Sequence, residues 1–214
     1  AMWSGIFYWH CYSKWNVNGS IMATLFVDKI DPQSGTALSL GSSGDTLQAT
    51  SGTTNNLGIS EVDQWRLSAD LTCSSGSVDT LITANLERND SAGFSKIGTG
   101  MSVSSGIFTF PSTGIWRVEV SFLFYHATGG SQWNSVNMFT TLNDSAYTQQ
   151  THFPVSTQAS SIDYNGGYST FLFDVTDTSN CKVKFMYNCE GTVTLQGDSA
   201  ENETVFVFTR LGDT

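Results

Sequence analysis

Residues 114–126, GIWRVEVSFLFYH, alternate with a period of two, with Trp116, Val118, Val120, Phe122 and Phe124 on one parity and Arg117, Glu119 and Ser121 on the other. Side chains along a strand point to opposite faces in turn, so the stretch predicts a long strand whose first parity faces a core. The second parity also holds Ile115, Leu123 and Tyr125. Apolar residues flanking Arg117 and Glu119 predict an outer face partly covered by a neighbour. CKVKFMYNC shows the same alternation, with Cys181, Val183, Phe185 and Tyr187 opposite Lys182, Lys184, Met186 and Asn188. It predicts a strand buried on one side and guarded by lysines on the other.

Shorter runs with the same character are QWRLSADLT, LITANLE, IFTF, VNMFTTLN, YSTFLFDV, TVTLQ and TVFVFTR, separated by turn residues. Spacing near 8–12 residues is that of a sandwich, and about nine strands fill residues 60–214. No segment carries a strong amphipathic helical pattern. The fold expected is therefore all-β, a two-sheet jelly-roll sandwich preceded by an extended N-terminal segment.

That segment has two parts. Residues 22–59, beginning MATLFVDKIDPQSGTALSLGSSGDT, hold apolar residues too few and too dispersed for a core, and read as an extended Gly/Ser-rich stalk or attachment segment paired with sister chains, or as a linker. Residues 1–21 hold Trp3, Phe7, Tyr8, Trp9 and Trp15 ahead of Met22. They read as an aromatic arm docking on a partner or as a translated extension. With one lysine, interrupted hydrophobicity and no clear cleavage site, they make a poor signal peptide.

Composition narrows the function. Aromatic residues make up 13% of the chain, charged residues only 13%, and three prolines leave the ladders uninterrupted, as an all-β protein requires. Nine Lys and Arg against nineteen Asp and Glu leave a net charge of −10, which argues against nucleic acid as a partner. No apolar run approaches the roughly 20 residues of a membrane span. The four cysteines are too sparse for a disulfide scaffold. On one strand at about 3.3 Å per residue, Cys181 and Cys189 lie roughly 26 Å apart, beyond bridging reach, so free buried thiols are expected.

GIFTFPSTGIWRVEVSFLF, Gly106 to Phe124, resembles the signature of complement C1q-like and tumour-necrosis-factor-like jelly rolls, with Gly106, Phe108, Thr109, Pro111 and Gly114 at matching places and Trp116 at the aromatic position. Pro111 to Gly114 then form the turn between two strands. The likeness covers roughly residues 78–211, from LERNDSAGFSKIGTG to the closing TVFVFTRLGD. It implies a homotrimer, and assigns Ile115, Leu123 and Tyr125 to the subunit interface. No collagen repeat precedes the head in residues 1–59, which counts against animal complement biology. Residues 22–58 and QWRLSAD at 64–70 are similar to marine-phage virion proteins carrying such a head. The implied role is non-enzymatic: a trimeric fibre knob or capsid decoration, assembled in the host bacterial cytoplasm with other virion proteins; the likeness does not identify a ligand, since the same head serves many partners.

Chemistry adds little. His10, His126 and His152 lie in separate segments and form no metal-binding set, and His126 is expected to pack. No metal or cofactor is expected. Glu61, Asp63 and Asp70 read as a solvated strand edge, and Asp198, Glu201 and Glu203 as a solvated loop whose alternative is a cation site at 197–203. A polysaccharide-degrading spike would need two such carboxylates across a cleft, and a secreted lectin-like module would need an export route. The loops YHATGGSQWNS, LNDSAYTQQTHFP and QASSIDYNGGYS carry Trp133, Tyr147 and Tyr164, which either stack on a sugar or pack at subunit contacts.

Overall fold

The computed structural model describes residues 58–76, 78–127, 129–158 and 162–214. The chain divides after Thr53, and all described residues belong to the second unit, Thr54–Thr214. The expected arm at 1–21 and nearly all of the expected stalk at 22–59 lie outside the described residues.

Every regular element among them is a strand. In chain order these are β1 (Val62–Leu67), β2 (Ala69–Cys73), β3 (Thr80–Leu81), β4 (Leu86–Arg88), β5 (Ser102–Ser104), β6 (Ile107–Thr109), β7 (Gly114–His126) and β8 (Ser131–Thr141). There follow β9 (Thr148–Gln149), β10 (Val155–Thr157), β11 (Asp163–Val175), β12 (Lys182–Cys189), β13 (Val193–Asp198) and β14 (Val205–Gly212). The first sheet runs β2-β13-β7-β14-β1-β4, with β11 along the other edge of β7; the second runs β10-β8-β12-β6-β5, with β3 on β12 and β9 on β8. All pairings are antiparallel. The chain passes from β1 in the first sheet to β6 in the second, back to β7, across to β8 and β10, back to β11, across to β12 and back to β14. Repeated crossing between two antiparallel sheets is the wiring of a jelly roll.

Strand β7 is the spine of the first sheet. Its long alternation lets β11 pair along its whole length, from Asp163↔His126 to Val175↔Gly114, while β14 and then β13 share the opposite edge. Trp116, Val118, Val120, Phe122 and Phe124 are buried, as the parity predicts. The turn before β7 is at Pro111–Gly114, where the Trp116 indole N–H donates to the Ser112 carbonyl at 3.1 Å. Gly114 has φ +136°, and a Cβ there would sit 2.4 Å from the Gly212 carbonyl oxygen, so glycine is required by both conformation and space.

Between the sheets Phe108 meets Trp65, Phe185, Phe206 and Phe208 at centroid distances of 5.5, 5.8, 6.1 and 5.0 Å. Cys73, Cys181 and Cys189 are buried free thiols, and Cys189 has its pKa pushed up by the Cys73 thiol beside it and by burial. His126 is buried, and its Nδ1 accepts from the Gly130 N–H at 3.1 Å.

Three sequence expectations change. QWRLSADLT is two strands, because the chain breaks at Ser68, whose N–H donates to the Asn85 carbonyl at 2.8 Å. The lysine side of β12 is not open to solvent: Lys182 is buried with its ammonium on the Thr178 carbonyl, and Lys184 is half-buried over the Tyr147 ring at 4.1 Å. Glu61 and Asp63 are not solvated. Both are buried, because the loop that follows β4 folds back over them and they accept its N–H groups: Glu61 those of Thr99 and Gly100, Asp63 that of Met101.

Candidate functional site

The outer face of the first sheet exposes aromatic and aliphatic side chains, Tyr164, Tyr168 and Leu172 among them. Ile115, Leu123 and Tyr125 project from β7 on the face away from the core and are half-buried. Their register partners on β11 are Asp174, Gly166 and Tyr164, and the Tyr125 and Tyr164 rings lie 4.9 Å apart. Tyr168 and Leu172 continue the same face of β11, and both are about half exposed, at 48% and 59%.

A polar cluster sits in the middle of this face. Arg117 and Glu119 form an ion pair at 3.0 Å, and the Tyr168 hydroxyl donates to Glu119. That hydrogen bond is the first cause of a raised Tyr168 pKa, with burial second.

The three aromatics expected to mark a binding surface do not converge. Tyr164 is on β11, in the first sheet, against Tyr125. Trp133 is on β8, in the second sheet, where it lines a cavity with His152 and Asn188. Only Tyr147 is outside a strand, half-buried beneath Lys184, its pKa raised by burial and then by the charge of Asp144. The loops were read too long because Gly129, Gly130, Gly166 and Gly167 resemble turn residues, whereas Gly166 and Gly167 pair within β11. Residues missed by the sequence reading are Ser135, Asn137 and Asn188. Ser135 and Asn137 are buried and Asn188 is half-buried, and no spacing or motif in the sequence marks them out.

Of the carboxylates, Asp70, Asp198 and Glu203 line one pocket together with Gln196 and Gly197. Glu61 and Asp63 are spent on backbone N–H groups, while the Asp70 carboxylate accepts from Gly197 N–H at 3.0 Å. Among the described residues, no group of three or more His, Cys, Asp or Glu side chains is placed to hold a metal ion. Glu203 has a raised pKa through burial first and then repulsion from Asp70, Asp198 and Glu201. A carboxyl raised in the fold adds stability that is fully present below its unfolded pKa and lost as pH rises through its folded pKa. Glu203→Gln is therefore expected to raise the melting temperature near neutral pH and to leave it unchanged below the ordinary carboxyl range, as read by thermal melts across pH.

No family model matches the chain. No curated protein matches it either. Solved structures do: murine APRIL at pH 8.0, 14% identical, over 71% of this chain and 98% of that one, with a TM-score of 0.46; Eiger TNF from S. frugiperda, 10% identical, over 72% and 93%, at 0.49; and PRD1 vertex protein P5, 12% identical, over 72% and 99%, at 0.43. The jelly-roll assignment stands on the strand order and crossings of this chain.

Proposed function

We propose that this chain is a non-enzymatic structural protein of a virion, a homotrimer displayed as a fibre knob or capsid decoration, whose head contacts a host surface glycan. The observation that carries the trimer is the outer face of the first sheet. Tyr125, Tyr164, Tyr168, Leu123 and Leu172 share the partly exposed outer face of a sheet whose other face is already filled by the core. Such patches mark interaction sites, and three copies meeting about one axis would bury this one. The virion setting is supported by the likeness of residues 22–58 and 64–70 to marine-phage virion proteins.

Light scattering on the purified chain tests the trimer, and a monomeric wild type would refute it. Tyr125→Asp is expected to give a folded monomer, because it forces an unpaired charge into the subunit contact at a cost of several kcal/mol. Mass spectrometry of purified particles, with immunogold to locate the protein on them, tests the virion setting; particles without this chain would refute it.

A further inference from the structure

The outer face of the second sheet carries a cavity of about 380 Å³ lined by Asp79, Trp133, Ser135, Asn137, His152 and Asn188, among others. Ser135 and Asn137 come from the outward parity of β8, and Asn188 is the register partner of Ser135 on β12. Although they sit on an outward face, Ser135 is 1% and Asn137 3% exposed. The chain at Gln149 and at His152–Pro154 also lines the cavity, so it is bordered on the β8 side by this segment and on the β12 side by Asp79.

Three polar atoms here, Ser135 Oγ, Asn137 Oδ1 and Asn188 Oδ1, are buried and make no hydrogen bond among the described residues. Asn188 Nδ2 donates to the Asp79 carboxylate at 2.8 Å, which fixes the amide with its oxygen free. Buried polar atoms are normally paired, and each unpaired one disfavours the fold. Several in one cavity beside an indole form a site in need of a ligand that supplies hydrogen-bond donors.

We propose that this cavity binds a neutral sugar residue, which rests on the glycan-contact part of the function proposed above and gives it one location. A pyranose presents hydroxyl donors to the free oxygens and an apolar C–H face to Trp133. The cavity volume lies within the range of small-molecule sites. An acidic sugar is the wrong class. Its carboxylate would bring acceptors to a floor already rich in them and stand near Asp79, while among the described residues lining the cavity His152 is the one side chain able to carry a positive charge.

The test is a titration of the chain with the methyl glycosides of glucose, galactose, mannose and N-acetylglucosamine, followed by the NMR signals of the Trp133 indole and the Asn137 amide. At least one glycoside is expected to shift both signals saturably. In Trp133→Ala, read at Asn137, and in Asn137→Leu, read at Trp133, binding should weaken about tenfold or more. Asn137→Leu should melt at or above the wild-type temperature, because it removes an unpaired buried amide; this separates loss of the site from loss of the fold. Glucuronate should bind more weakly than the best neutral glycoside. The proposal is overturned by no saturable shift with any of the four glycosides, by glucuronate binding as well as the best of them, or by affinity unchanged in both variants. A glycan array separates the two readings: binding by wild type that persists in both variants overturns the cavity and leaves glycan recognition standing, whereas a wild type that binds no glycan overturns both.

Discussion

Phe108→Ala is expected to destabilise the head by about 3–5 kcal/mol, the usual cost of emptying a buried aromatic site. Phe108 is fully buried and hangs from β6 of the second sheet, yet three of its four ring partners, Trp65, Phe206 and Phe208, come from the first. Its removal leaves a void at the point where the sheets are joined, and the rings around it are themselves locked edge-on or tilted against each other, so collapse into the void is limited. Chemical denaturation should show a lower midpoint with an unchanged slope. A loss below about 1 kcal/mol would mean that the sheets repack around the gap and that Phe108 is no keystone.

The second large effect is expected at Asp63. Its carboxylate is 1% exposed and accepts from the Trp65 indole N–H at 2.9 Å, the Met101 N–H at 2.8 Å and the Arg88 guanidinium at 3.0 Å. Asp63→Ala leaves these donors without their acceptor and is expected to cost about 3–5 kcal/mol, as breaking a buried pair does. The damage should have an address. The loop after β4 is held by Glu61 and Asp63 at Thr99, Gly100 and Met101, and it fits so closely that a Cβ on Gly98 would lie 2.4 Å from the Glu61 side chain. Hydrogen exchange in Asp63→Ala should therefore accelerate at Gly100 and Met101 before it does along β7. Uniform acceleration through the head would show that Asp63 supports the whole sandwich and not this loop.

The two carboxylates illustrate where the sequence stops being informative. Acidic residues at a strand start look solvated, and neither spacing nor parity announces that a loop some 40 residues later will cover them. The same holds for the cavity beside Trp133. The sequence places Trp133 and Ser135 in a loop and begins the strand at Val136, whereas β8 starts at Ser131 and its outward residues Trp133, Ser135 and Asn137 line a pocket with His152.

The sequence by itself determined what depends on local periodicity. The alternation in 114–126 and 181–189 set which side chains enter the core, since a strand turns its residues to opposite faces regardless of its neighbours. It also placed the Pro111–Gly114 turn, and the density of short β runs determined an all-β sandwich. Tertiary structure alone decided which strands are neighbours, that Trp133 and Tyr164 stand on different sheets, and that Ser135, Asn137 and Asp63 are buried. Burial of a polar residue is set by what folds over it from far along the chain, and that depends on the closure of the two sheets, which no local pattern encodes.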